Sequence, residues 1–289
     1  MMETSVPFDA LVELLIYLFI GLAMLCIGLA STLDDMVALG ADRAWLSRAL
    51  IANIVVGPFV AIALVALIPM DPAAATVLLL LGFAPGGINA VQFSTKVPKR
   101  LAAAGALLVV LSMVSLVTAP IAARLILPSD AELALPVDEL VFRITLLILA
   151  PLVIGAAIRA RAPDLAEKLY KPAMLVSTLT FIASVILSMG TRQVALGEFG
   201  TASTVAFLLF ILAMMAAGWF LGGPTTEGRQ VLAFSTNLRN VGLVYVLVDG
   251  CCDDNLLAAA LLGFMALMIL PNAVLTVGCA VWRKRHMTP

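Results

Sequence analysis

Nine apolar stretches, each close to the length that crosses a bilayer, follow one another along this 289-residue chain, at about residues 10–30, 49–69, 73–94, 101–127, 140–159, 172–190, 201–221, 229–248 and 256–282. A helix rises 1.5 Å per residue, so about 20 apolar residues cover the roughly 30 Å of hydrocarbon in a membrane. Lipid offers backbone groups no hydrogen bonds, and spans of this length satisfy their own only as helices. The expected fold is therefore an all-α membrane protein, a polytopic helical bundle of about nine transmembrane helices. Composition agrees, because 12% of the residues are charged and 63% hydrophobic, whereas about a quarter of a soluble domain is charged.

Orientation follows from the basic residues, which collect on the cytoplasmic side. Thirteen of the 17 Lys and Arg fall in alternate connections on one side, and only Arg124, Arg143 and Arg192 fall on the other. That places the protein in the cytoplasmic membrane, multi-pass, with its N-terminus outside and its C-terminus in the cytoplasm. The flank before the first run holds Glu3 and neither Lys nor Arg, unlike the basic start of a cleavable signal, so this run is expected to stay in the mature protein.

The same inventory excludes several function classes. A net charge of -1 leaves no basic face for nucleic acid. Cys26, Cys251, Cys252 and Cys279 have no CxxC or Cys/His spacing, and the one histidine is His286, so neither a metal site nor a catalytic site is expected. No HExxH or GxSxG signature occurs, which argues against an intramembrane enzyme. A channel, with a polar midplane as its filter, stays open as an alternative. The adjacent Cys251 and Cys252 are compatible with two thiols or one disulfide. Asp34 and Asp35 read as helix-end carboxylates, and Gly21 with Gly28 and Gly218 with Gly222 as close helix packing. Oligomeric state is not legible.

Two runs carry helix breakers and amides at mid-length. The third has Pro85, Gly86 and Gly87 in succession, then Asn89, Gln92 and Ser94; the eighth has Ser235, Thr236, Asn237, Arg239, Asn240 and Gly242. Proline removes a helical hydrogen bond and glycine adds backbone entropy, so both runs should unwind, with Pro85, Gly86, Gly87 and Gly242 as hinge residues. Unwound backbone at membrane depth must be buried in protein or line a wet cavity. The breaks are 150 residues apart, and Leu-Ala-Ala-Ala opens the following run in both cases, at Leu101 and Leu257. The chain thus reads as one transmembrane transporter domain, 1–289, with a four-helix repeat at 10–127 and a five-helix repeat at 140–282. The broken runs are five spans apart, an odd step, so the repeats would be inverted, the plan of secondary transporters with a substrate site near the midplane.

These breaks, together with GLAMLCIGLASTLDDM at residues 21–36, carry a likeness to a known family. The chain resembles the bile acid:sodium symporter family, whose glycine-rich early helix ending near an acidic pair, PGG motif and RN-G-L or QN-G-L motif correspond to residues 21–35, 84–87 and 239–243. The resemblance spans nearly the whole chain and implies the nine-helix form of that fold, with the first helix absent, and an organic anion as substrate. It also implies sodium coupling through oxygen ligands at positions that here hold Ala90, Val91, Ser235 and Arg239. None of the four keeps the family's ligand, and a guanidinium repels a hard cation, so the departures argue against sodium as the coupling ion through those sites. A sodium symporter using other ligands is the alternative. No other cofactor is expected.

Arg239 is the one basic residue that falls deep inside an apolar run and not at its end or in a connection. A mid-bilayer arginine costs about 2.5–3.5 kcal/mol on insertion scales and so should face the interior and be paired. All 18 carboxylates lie in connections or near span ends. Two readings stay open: an anionic substrate is its partner, or it bonds the carbonyls freed by the breaks. Asn89, Gln92, Asn237, Arg239 and Asn240 are accordingly the candidate substrate-binding residues. Ser94, Ser235 and Thr236 are lesser candidates for an ion, since Ser and Thr often bond their own helix. The partners expected are a small organic anion and the lipid bilayer.

Overall fold

The computed structural model describes residues 5–87, 101–126, 137–191, 199–251 and 255–286. Helices make up almost all of these, and no strand occurs among the described residues. In chain order they are α1 (Ser5–Ala30), the short α2 (Leu33–Ala41), α3 (Arg43–Leu67), α4 (Pro72–Phe83), α5 (Leu101–Ile126), α6 (Val137–Ile144, Thr145–Leu149 and Ala150–Arg161 end to end), α7 (Pro163–Thr191), α8 (Gly200–Leu221), α9 (Thr226–Asn237), α10 (Val241–Cys251) and α11 (Asn255–His286). Seven helical stretches among the described residues are long and apolar enough to cross a membrane. The third run is represented by the shorter α4 and the sixth by the apolar part of α7 after Pro172.

Local chemistry sets the boundaries. Asp71 Oδ1 accepts from the Ala73 and Ala74 amides at 2.8 and 3.3 Å, and Pro72 follows at the first helical position, so α4 starts there. Thr32 and Asp35 form a reciprocal capping box that starts α2. Asp35 therefore caps a new helix and does not merely end the first run. Asp42 caps α3 through the Trp45 amide at 3.2 Å. Helix α3 consequently begins at Arg43, six residues before the apolar run, and places Arg43 and Arg48 in its first turns instead of in a loop.

Helices α3 and α6 each contain a π-helical turn, Ile51–Val56 and Thr145–Leu149, that ends two residues before a proline, Pro58 or Pro151. The widened turn accommodates the missing amide and the ring clash of the proline without ending the helix.

Packing divides the bundle. Helix α1 packs most extensively on α7 and α6; in the remainder α8 packs on α9, and α4 on the second half of α3, on α5 and on α11. Gly28 and Gly155 make the α1–α6 contact, for a Cβ on Gly28 would stand 2.3 Å from the Leu152 carbonyl oxygen and one on Gly155 2.3 Å from that of Leu25. Gly218 and Gly222 likewise meet the backbone of α9 at Ala233 and Arg229. Ring contacts Phe19–Phe181, at 5.0 Å, and Phe207–Phe264, at 5.5 Å, fill the two groups. Large side chains such as Phe59, Leu125 and Phe220 point outward, as lipid-facing positions do. Every residue from Gln230 to Val248 is buried, whereas only Ile148, Leu152 and Gly155 of Val141–Arg161 are. The interrupted span thus sits at the centre, where protein and not lipid surrounds its broken backbone.

Gly21 has nothing within 4 Å of a built Cβ, so of the pair Gly21 and Gly28 only the second packs. Gly28→Ala should lower the melting temperature by the equivalent of about 2 kcal/mol or more, whereas Gly21→Ala should leave it unchanged or raise it, as alanine favours helix by about 1 kcal/mol. Melting curves of the two purified variants in detergent check this, and equal midpoints would refute the α1–α6 contact.

Candidate functional site

The two interruptions meet. Helix α4 stops at Phe83 and residues 84–87 are non-helical; α9 stops at Asn237, and residues 238–240 separate it from α10. These segments run antiparallel and exchange two backbone hydrogen bonds, Gly87 N to the Leu238 carbonyl and Asn240 N to the Ala84 carbonyl, both 2.8 Å. Gly86 has φ +91°, the left-handed region. Gly87 is needed for closeness, because a Cβ there would stand 2.3 Å from the Arg239 carbonyl oxygen. Pro85, Gly86 and Gly87 thus lie in the break. Gly242 lies within α10, where it receives Ile20 of α1: a Cβ would approach Ile20 Cγ1 to 3.0 Å. The second break is shorter than its polar sequence suggests. Ser235 and Thr236 donate to Leu232 O inside α9, at 3.2 and 2.6 Å, and so extend the helix instead of interrupting it.

Arg239 is 1% exposed and sits where the segments cross. Its Nε donates to Leu81 O at 2.8 Å, Nη1 to Asn53 Oδ1 at 3.2 Å and Thr236 O at 3.3 Å, and Nη2 to Asn53 O at 3.4 Å and to Gly82 O. A guanidinium has five N–H donors, and here five oxygens receive them. Gly57 makes room, as a Cβ there would meet Nη2 at 2.9 Å. The partners are therefore freed carbonyls and one amide, and the guanidinium needs no carboxylate to be satisfied.

The remaining carbonyls at the end of α4 have partners too. Phe83 O accepts from Thr118 Oγ1 at 2.7 Å and Ala84 O from the Asn240 amide. Asn240 caps α10, its Oδ1 accepting from Leu243 N at 3.1 Å while its Nδ2 donates to Ser115 Oγ at 3.1 Å. Asn237 Nδ2 donates to Asn272 Oδ1 at 2.6 Å, and its own Oδ1 has no partner among the described residues. Asn89, Gln92 and Ser94 lie outside the described residues, as do Ala90 and Val91.

Asn53 was not singled out in the sequence. It is fully buried in the π turn of α3, donates to Ala49 O at 2.9 Å and Thr236 Oγ1 at 3.4 Å, and contributes two of the five arginine acceptors. Its signal was present, since it is a single amide in the apolar stretch IANIVVGP.

Between α1 and the crossing lies a narrow cleft with about 10 Å³ of free volume, lined by Phe19, Ile20, Ala23 and Met24 of α1, Gly87, Arg239 and Asn240 of the breaks, Val241 and Gly242 of α10, and Met265 of α11. The first turn of α10 thus opens onto it, while the guanidinium is turned the other way, into α3 and α4. Helix N-termini carry about half a positive charge and helix C-termini about half a negative one. The crossing therefore offers a positive helix end to the cleft and gathers the negative ends of α4 and α9 around Arg239.

The model of the sodium bile acid symporter family matches residues 17–197, more than half the chain, from within α1 to beyond α7. The second break lies outside the matched stretch. No curated protein matches the chain.

Asn53→Ala would leave Nη1 and the Thr236 hydroxyl each without one partner. It should destabilise the protein by about 1–3 kcal/mol, the cost of unsatisfied buried donors, read as a fall in melting temperature. An unchanged midpoint would show that the Asn53 side chain does not hold the crossing together.

Proposed function

The chain belongs to the sodium bile acid symporter family, and from that premise we propose that it is a secondary transporter moving a small organic anion across the cytoplasmic membrane by alternating access. The observation that carries the reading is the cleft beside the crossing. The free volume there is about 10 Å³, room for a single water, so α1 lies closed against the crossing and an anion would enter only as the two draw apart. The first turn of α10 supplies positive potential there, and no carboxylate is among its described lining residues. Phe19, Ile20, Met24 and Met265 suit an apolar body, and the first turn of α10 at Gly242 suits an anionic head. Asn89, Gln92 and Asn237 would line the route on either side, and Arg239 would shape the site from behind.

In this reading residues 10–127 and 140–282 are inverted repeats, and transport rocks α1, α6 and α7 against the other helices around the crossing. The excess of Lys and Arg on one side supports an outside N-terminus and a cytoplasmic C-terminus. The family's name carries bile acids; the argument from this chain reaches an organic anion and no further.

A panel of organic anions should therefore contain members that raise the melting temperature of the detergent-purified protein. A ligand at about ten times its Kd gives a rise of about 3–6 °C. Ala23→Leu, which overpacks the cleft from the buried α1 side, should weaken that ligand about tenfold or more and lower the ligand-free midpoint by the equivalent of about 1–3 kcal/mol. Stabilisation by neutral or cationic analogues alone, or an undiminished response in the variant, would overturn the assignment.

A further inference from the structure

We infer that Arg239 is a resident cation, fixed by a covalent bond where the crossing would otherwise recruit a mobile one, so that this protein takes up no sodium there. Paired broken helices gather the negative ends of half-helices and unwound carbonyls at one place, and such places coordinate Na⁺ or H⁺ in secondary transporters. This chain has that place. The last turns of α4 and α9 supply Leu81 O, Gly82 O and Thr236 O, and the π turn of α3 adds Asn53 O and Oδ1.

Charge and ligand counts agree. Two helix C-termini amount to about one negative charge, and the guanidinium supplies one positive charge. A hard cation of this kind takes an all-oxygen shell of about six ligands, and the five oxygens are all occupied by N–H donors. A sodium ion sharing these oxygens would lie about 4 Å or less from the guanidinium, and none of the five oxygens belongs to a carboxylate that would offset the repulsion. The sodium in the family's name therefore does not fit this cage. The consequence for transport, that a sodium gradient does not drive it through the crossing, rests on the carrier reading above. Occupancy of the cage does not.

The test uses the full-length protein in detergent, with no organic anion present, so its outcome is independent of the anion assignment. Melting is measured in matched sodium, potassium and choline chloride. The wild-type midpoint should agree within about 1 °C across the three salts, since a ligand that does not bind gives no shift. Arg239→Gln removes the charge and keeps an amide, and should melt lower in choline. Sodium should then restore it by about 3–6 °C once present at about ten times its Kd. Arg239→Lys, which keeps a cation, should show no sodium response. A rise in sodium for the wild type overturns the inference, and so does a folded Arg239→Gln protein indifferent to the salts. If Arg239→Gln yields no folded protein, equilibrium dialysis of the wild type against ²²Na⁺ decides: retention of the ion overturns the inference and absence of retention upholds it.

Discussion

One guanidinium with five oxygens around it makes the rest of this bundle possible. Two helices stop inside the membrane, and each stop frees backbone carbonyls that lipid cannot satisfy. Leu81 O and Gly82 O turn to Arg239, Phe83 O to Thr118, Ala84 O to the Asn240 amide, and Leu238 O to the Gly87 amide. A neutral side chain in place of Arg239 could not reach so many acceptors on α3, α4 and α9 together. The cation therefore joins the first and second halves of the chain, whose partners here lie up to 186 residues apart.

That demand propagates into the packing. Glycines at 57 and 87 keep Cβ atoms away from the arginine and its backbone, and every residue from Gln230 to Val248 is buried. Surrounding helices can be apolar toward lipid because the polar work is finished inside. Phe59 on α3 is 72% exposed, six residues from Asn53, which is fully buried. The same helix thus serves lipid with one face and the cage with the other, and its π turn lies between Arg43 and Pro58, where the amide must be aimed inward.

Much of the fold was legible because lipid is a simple solvent. Length and hydropathy locate the spans, Pro85-Gly86-Gly87 locates a break, and an arginine inside an apolar run announces a buried polar centre. What the pattern does not carry is the partner. The arginine's acceptors are mostly main-chain carbonyls, which have no signature in side-chain chemistry, so an unpaired cation in the sequence pointed equally to an anion. Asn53 was missed because one amide in an apolar run has no periodicity, and its role depends on a π turn that follows from a proline five residues later. Gly21 and Gly28 show the same limit. Seven residues apart, they look like one packing face, yet only Gly28 meets a neighbour's backbone. The polar run Ser235 to Asn240 overstated the second break, because hydroxyls can bond their own helix.

The polarity of helices explains why a buried cation and a positive helix end can lie so close together. A broken helix presents a C-terminal end and an N-terminal end to the same point, and their partial charges are opposite. At this crossing the C-terminal ends of α4 and α9 face Arg239 on the α3 side, while α10 begins on the side of α1. The backbone segment 238–240 separates the two. The contact of α1 with this second side is apolar, made by Ile20 against Gly242 and by Tyr17 edge-on to Tyr245 at 6.3 Å. Directional hydrogen bonds therefore hold the crossing to α3, α4 and α5, and shape complementarity holds α1 against it. A motion that slides α1 with α6 and α7 past the crossing would exchange one set of van der Waals contacts for another and leave the cage intact, whereas motion between α3 and α9 would break the arginine's bonds. The proposed rocking thus falls on a boundary where Ile20 meets Gly242 by shape and not by hydrogen bonding.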